Sequence, residues 1–255
     1  MKKITEERLL DKIIAIYNED PEKFILIEVG ANDGRICDRM HKFILKYDPK
    51  CILIEPIPDY FKKLKENYKN NTNINFENIA IDTEKNTREM IYIPINKILN
   101  NKVTFRVRNP VIQREHWAQG CATFYKSSGN QPEYNVNCLA CPELAKHTEP
   151  ISVNTDTIMN ILNKYNIDTT YNIVIQTDTE GHDYKILNSF DFNKVKPKIY
   201  IAEIYFHKTR WPSSHKNFNT EYGFYSEEQC NNTVALMESL NYELYTSNDL
   251  VAILK

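Results

Sequence analysis

Phe24-Ile-Leu-Ile-Glu-Val-Gly-Ala-Asn-Asp-Gly34 decides the fold class. Its first six residues are apolar except for Glu28, the composition of a strand covered on both faces, as in a parallel sheet. Gly30 and Gly34 then form a turn, after which Ile36, Met40, Phe43, Ile44 and Tyr47 recur at helical spacing as far as Asp48-Pro49. A second apolar run, Cys51 to Ile54, follows at once and completes a βαβ unit. Upstream, Leu10, Ile13, Ile14 and Tyr17 describe an amphipathic helix that Pro21 ends. Downstream, Tyr60, Phe61, Leu64 and Tyr68 predict a helix, and a third strand is expected near Phe76 to Ile81.

From about residue 90 to 150 the rhythm changes. Ile91-Tyr92-Ile93 and Val103 to Val107 read as hairpin strands, while Gly120 to Pro142 holds clustered turn residues and Cys121, Cys138 and Cys141. The α/β pattern then resumes, with Asp156 as helix cap before Ile158, Ile161, Leu162 and Tyr165, and with strands over Asn172 to Thr177 and Lys198 to Phe206. Ser226-Glu-Glu-Gln229 reads as a capping box, and Tyr242 to Thr246 with Leu250 to Leu254 as a closing antiparallel hairpin. The expectation is one α/β domain over 1–255, mostly parallel with an antiparallel C-terminal strand and a β-rich insertion at about 90–150.

Composition narrows the function. Lysine plus arginine number 32 against 34 acidic residues, so no basic surface for nucleic acid is expected. No apolar run nears the roughly 20 residues of a membrane-spanning helix. Residues 1–20 are broken by charges without a cleavage-site pattern, so a cytoplasmic location with free thiols is expected. Homo-oligomerisation is left open.

Open α/β sheets bind ligands beyond the carboxyl ends of their strands. The turn from Glu28 through Gly30, Asn32 and Asp33 to Gly34 lacks the third glycine of a dinucleotide fingerprint, and Asp33 would repel a pyrophosphate. A ligand with a cationic centre and no phosphate suits it better. Glu55, after the second strand, stands where a carboxylate accepts hydrogen bonds from a ribose diol. Adenosine with a positive group describes S-adenosylmethionine. The competing reading makes Glu28 and Glu55 ordinary solvated carboxylates near strand ends.

Those residues, with Ile54-Glu-Pro56, Asn78-Ile-Ala80 and above all Asp178-Thr-Glu-Gly-His182, resemble the FkbM-type class I methyltransferases over roughly Ile25 to Phe206. The resemblance implies a Rossmann-like class I methyltransferase sheet, S-adenosylmethionine as donor, and O-methylation of hydroxyls, often on sugars of bacterial glycans or on secondary metabolites. It implies that Glu28, Gly30 and Gly34 shape the donor pocket, that Glu55 holds the ribose, and that Asn78 and Ala80 lie near the adenine. Where the family block usually begins Lys-Ile-Asp, this chain has Gln176-Thr177-Asp178, and Asn154-Thr155-Asp156 replaces an expected Thr-Leu-Asp.

An alcohol needs a base within hydrogen-bond reach, or a metal that lowers its pKa, before it attacks a methyl group. Asp178, Glu180 and His182 follow the fourth strand, and Glu203 and His207 lie in or after the fifth, so all could converge. His182 is the preferred base, because an unperturbed imidazole titrates near 6.5. It could equally be a first-turn helix residue. Asp178 and Glu203, flanked by apolar runs, could join a histidine in holding a divalent metal, although structural ion pairs satisfy the same burial rule.

Cys138-Leu-Ala-Cys141, with Cys121 and His147, offers a weak zinc spacing against free thiols in a loop. His116, Trp117, Thr123 and Tyr125 suit stacking on a sugar or simple loop packing, and the cationic loop His207 to His215 suits a phosphate or plain solvation. The reading is therefore an O-methyltransferase acting on a small carbohydrate or sugar nucleotide. The alternatives are an NAD-dependent oxidoreductase or epimerase, and a non-catalytic S-adenosylmethionine-binding subunit.

Overall fold

A computed structural model describes residues 1–36, 38–99, 120, 122–124, 147–204, 225, 227–247 and 249–255. The elements in chain order are β1 (Lys2–Lys3), α1 (Glu6–Glu19), β2 (Phe24–Val29), α2 (His41–Tyr47), β3 (Cys51–Ile54), α3 (Pro58–Asn67), β4 (Ile74–Glu77), β5 (Ala80–Ile81), β6 (Asn86–Tyr92) and α4 (Ile95–Leu99). After them come β7 (Glu149–Asp156), α5 (Ile158–Lys164), β8 (Asn172–Thr177), α6 (Asp183–Ser189), β9 (Ile199–Ala202), α7 (Glu227–Ser239), β10 (Tyr242–Thr246) and β11 (Leu250–Leu254).

Eight strands form one sheet in the order β1-β10-β11-β9-β8-β2-β3-β4. β2, β3, β4, β8 and β9 pair in parallel, and β11 runs against both β9 and β10. Because strand side chains alternate, the apolar runs feed two cores. Ile25, Ile27 and Val29 of β2 face one side with Ile173 and Ile175, beneath α5, α6 and α7. Phe24 and Leu26 face the other with Leu53 and Val174, beneath α1, α2 and α3. Each fully buried Ile or Leu contributes roughly 1.5–3 kcal/mol of transfer free energy, so a charge at any of these positions would need a purpose. Glu28 is such a charge, at 2% exposure.

A second sheet has the order β5-β7-β6, with β5 and β6 before and β7 after the stretch 93–148. The expected hairpin partner of Ile91-Tyr92, Val103 to Val107, lies outside the described residues, and β6 instead pairs antiparallel with β7, from Asn86↔Thr155 to Tyr92↔Glu149. The third expected strand is split: Phe76 belongs to β4 in the large sheet, and Ala80–Ile81 cross to pair with Thr155 and Asp156 in the small one. Two further boundaries move for local reasons. Asp33 Oδ1 accepts from the Arg35 and Ile36 amides and Asp38 Oδ1 from Met40, so consecutive Asx turns delay α2 to His41. The cap of α5 is Thr157, whose hydroxyl accepts from Asn160 N, while Asp156 ends β7. The expected strand Lys198 to Phe206 is β9 alone, and 205–206 are outside the described residues.

The helix at the expected capping box is α7, and the closing hairpin forms as β10 and β11. Cys51 and Cys230 are buried. Cys121, Cys138, Cys141, His116, Trp117, Tyr125 and residues 207–215, with His207 among them, lie outside the described residues.

Candidate functional site

β2 leads toward β3 and β4 on one side of the sheet, while β8 leads toward β9 on the other, so the crevice beyond their carboxyl ends is a topological switch point. Two loops cross there. Gly30 has φ +83°, and a Cβ on it would stand 2.0 Å from the Asp178 carbonyl oxygen, while Asp178 N donates to Val29 O at 2.9 Å. Only glycine fits this crossing. Gly34, at φ +69°, lies against Tyr68 and Leu64 and seats the same loop on α3.

A cavity opens above this crossing. Glu28, Asp38, Glu55, Asp178 and Glu180 line it, and among the described residues no lysine or arginine does. Tyr60, Ala80 and Met90 line it as part of one apolar cluster, Ile79 and Ile81 line it too, and the segment of Gly120, Ala122 and Phe124 joins the lining, with Ala122 and Phe124 packed against that cluster. The latter segment is tied to β6 and to the loop after β8: Ile91 and Thr123 exchange backbone hydrogen bonds at 2.8 and 2.9 Å, and Thr123 Oγ1 donates to Glu180 O at 2.9 Å.

Glu28 Oε1 and Gln176 Oε1 have no hydrogen-bond partner among the described residues, and the two residues are cross-strand neighbours. Paired acceptors without donors ask for a ligand that brings N–H groups or positive charge. Burial pushes the Glu28 carboxyl well up, helped by Asp38. Burial likewise raises Glu55 to about 7 against the lowering effect of two backbone donors, and Asp38 to about 6. Asp178 is reached by solvent but crowded by protein, and this desolvation, with Asp183 and Asp249 nearby, pushes it up to about 7.

Of the expected donor residues, Glu28, Gly30, Asn32, Glu55 and Ala80 line the cavity, whereas Asp33, Gly34 and Asn78 do not. Asp33 and Gly34 shape the loop from behind. Asn78 Nδ2 donates to the carbonyls of Glu55 and Pro56, bracing the turn before α3. Glu55 uses Oε2 for Asn32 N at 2.9 Å and Oε1 for Ile57 N at 2.8 Å, so it holds both edges of the cavity as well as facing into it.

Of the expected catalytic residues, Asp178 and His182 line the cavity, while Glu203 lies beside it. Asp178, Glu180 and Glu203 bring carboxylate oxygens within 4.8 Å of one another, a set that could hold a divalent cation. Asp178 and Glu203 also share a hydrogen bond, so a proton satisfies that pair without a metal.

His182 is buried at 1% exposure, and its Nε2 meets Asp82 Oδ1 at 2.9 Å. Arg88 binds the other Asp82 oxygen, its guanidinium 4.1 Å from the centroid of the Phe124 ring. Phe124 in turn sits edge-on to His182 at 5.0 Å. Sequence reasoning missed Asp82, Arg88 and Phe124. The one available signal was an acidic residue directly after a short apolar run, Ala80-Ile81-Asp82, the same placement that drew attention to Glu55.

A family model described as the methyltransferase FkbM domain matches residues 28–244, a span that begins at the buried glutamate of β2 and ends within β10. No curated protein and no solved structure matches the chain.

Proposed function

The chain belongs to the FkbM methyltransferase family, and from that premise we propose that the cavity binds S-adenosylmethionine and that the enzyme methylates a hydroxyl oxygen of a small carbohydrate or sugar nucleotide. The observation that carries the donor assignment is the pair of unpartnered oxygens, Glu28 Oε1 and Gln176 Oε1, in a cavity lined by five carboxylates. A sulfonium with an ammonium group matches that charge, and a dinucleotide pyrophosphate opposes it. The strand order, with one reversed strand between β9 and β10, supports reading the sheet as Rossmann-like and of class I.

When bound, the donor supplies an electrophilic methyl carbon and departs as a neutral thioether. In this reading Glu28 and Gln176 receive the ammonium group, Glu55 accepts from the ribose hydroxyls, and Ile79, Ala80 and Met90 cover the adenine. The Asp178 to His182 loop faces the acceptor. There His182 removes the hydroxyl proton as the oxygen attacks, and the segment crossing at Phe124 limits water. Alignment of the oxygen behind the methyl carbon supplies roughly 7–11 kcal/mol of the barrier reduction.

Titration calorimetry with S-adenosylhomocysteine, beside NAD and with chelator or added magnesium, tests the reading. Saturable binding of S-adenosylhomocysteine alone is the expected result, and sugar nucleotides are then screened as acceptors. Binding of NAD in its place defeats the proposal, and binding that vanishes with chelator assigns a cation to Asp178, Glu180 and Glu203.

The raised carboxyls make a second measurable claim. A carboxyl whose folded pKa is raised favours the ligand-free fold below its unfolded pKa, near 4, and that contribution is lost as pH rises through the folded value. For Glu55 and Asp178 the window therefore runs to about 7, and for Asp38 to about 6. A cationic donor favours the ionised forms, so its affinity should rise from pH 5.5 to 8 by about tenfold for each carboxyl it ionises. An affinity for S-adenosylmethionine that stays flat over this range would sink the pairing of donor charge with these groups.

A further inference from the structure

We propose that Asp82 is the positioning residue for His182, fixing the imidazole tautomer that carries its hydrogen on Nε2 and its lone pair on Nδ1. The proposal rests on reading His182 as the base. A carboxylate can only accept, so the 2.9 Å contact between Asp82 Oδ1 and His182 Nε2 requires the hydrogen to be on Nε2.

Asp82 is ionised for reasons visible around it. Burial favours its neutral form, but the hydrogen bonds from His182, Arg88 and Thr83 N more than offset this and hold the carboxyl well below the usual range. The carboxylate is also immobile. Asp82 N donates to Asp156 O at 2.9 Å at the end of β5, Thr83 N donates to Oδ1 at 2.7 Å, and Arg88 takes Oδ2. Arg88 and the His182 ring both pack on Phe124, so one aromatic side chain sets the orientation of both partners of the carboxylate.

The chemical consequence is a directed proton path. The acceptor O–H bond breaks toward Nδ1 as the new oxygen–methyl bond forms, the electron pair of the methyl–sulfur bond goes to sulfur, and the resulting imidazolium is stabilised by the carboxylate at its other nitrogen. The opposite tautomer would turn a donor toward the hydroxyl and leave no base. The arrangement joins residues 100 positions apart and uses the end of a small-sheet strand to aim a side chain in the loop between β8 and α6.

Histidine-selective 15N labelling and long-range 1H–15N correlation spectra read the tautomer directly, with His182 assigned by loss of its signals in His182→Gln. In the wild type, His182 is expected as the Nε2–H form. In Asp82→Asn, Arg88 draws the amide oxygen and the amide nitrogen faces the ring, so the hydrogen should move to Nδ1. Arg88→Gln, which leaves the carboxylate in place, should keep Nε2–H. S-adenosylhomocysteine affinity should stay within about threefold in Asp82→Asn, while methyl transfer, with an acceptor identified by the sugar-nucleotide screen, should fall by at least about a hundredfold in kcat.

A wild-type Nδ1–H tautomer overturns the proposal whether or not Asp82→Asn folds, and so does a flip in Arg88→Gln as complete as that in Asp82→Asn. An intact Nε2–H tautomer in a protein that does not bind S-adenosylhomocysteine would instead defeat the methyltransferase reading on which the role of His182 depends.

Discussion

His182→Gln is expected to lower kcat for methyl transfer by about 10²–10⁴-fold, the range of a positioned general base, while the dissociation constant for S-adenosylmethionine changes little. Glutamine retains an amide hydrogen to offer Asp82 and fills most of the ring volume, so the cluster with Arg88 and Phe124 keeps its packing. What it lacks is a nitrogen that can take and hold a proton. The groups proposed to face the donor, Glu28, Gln176 and the Gly30 turn, belong to β2, β8 and the loop between β2 and α2, whereas Asp82 follows β5 of the small sheet. Rapid-quench measurement of the chemical step, beside calorimetry of donor binding, separates the two effects. A kcat within threefold of wild type would move the base to Asp178, whose pKa of about 7 also suits proton removal.

Gly30→Ala should be the most damaging single-methyl change among the described residues. The added Cβ would stand 2.0 Å from the Asp178 carbonyl oxygen and 3.0 Å from its carbon, both backbone atoms that cannot rotate away, and alanine would have to keep φ at +83°. Relief requires the β2 and β8 loops to separate, which breaks the Asp178 N to Val29 O hydrogen bond and opens the cavity floor. A loss of about 3 kcal/mol, corresponding to a fall in Tm of roughly 6–12 °C, is expected with loss of donor binding. Thermal unfolding with and without S-adenosylhomocysteine checks both parts. An unchanged Tm with intact ligand stabilisation would show that the loops tolerate the separation.

The large sheet was legible because burial on both faces writes an unbroken apolar run, and Phe24 to Val29, Cys51 to Ile54 and Asn172 to Thr177 all carry one. The places of Glu28, Glu55 and Asp178 at the cavity were legible for the complementary reason, as acidic residues where such runs end or are interrupted. The start of α2 was not legible, because Ile36 and Met40 keep helical spacing while Asp33 and Asp38 divert the backbone amides that would open the helix. Asp82 escaped for a different reason. Its meaning depends on Ala80–Ile81 leaving the large sheet for β7, and a two-residue strand has too few side chains to announce which sheet it joins. Arg88 and Phe124 acquire their roles only through that same transfer, so no local pattern could have picked them out.

Tyr92 and Glu149 face one another across the β6–β7 ladder, so residues 93 and 148 start from adjacent points. For the 56 residues between them, 93–148, the entropy of closing the connection grows by only about 0.6 kcal/mol per doubling of its length. The ladder holds its two ends together, and Ala122 and Phe124 line the cavity. A change in the length of that connection is therefore expected to leave the β6–β7 register in place.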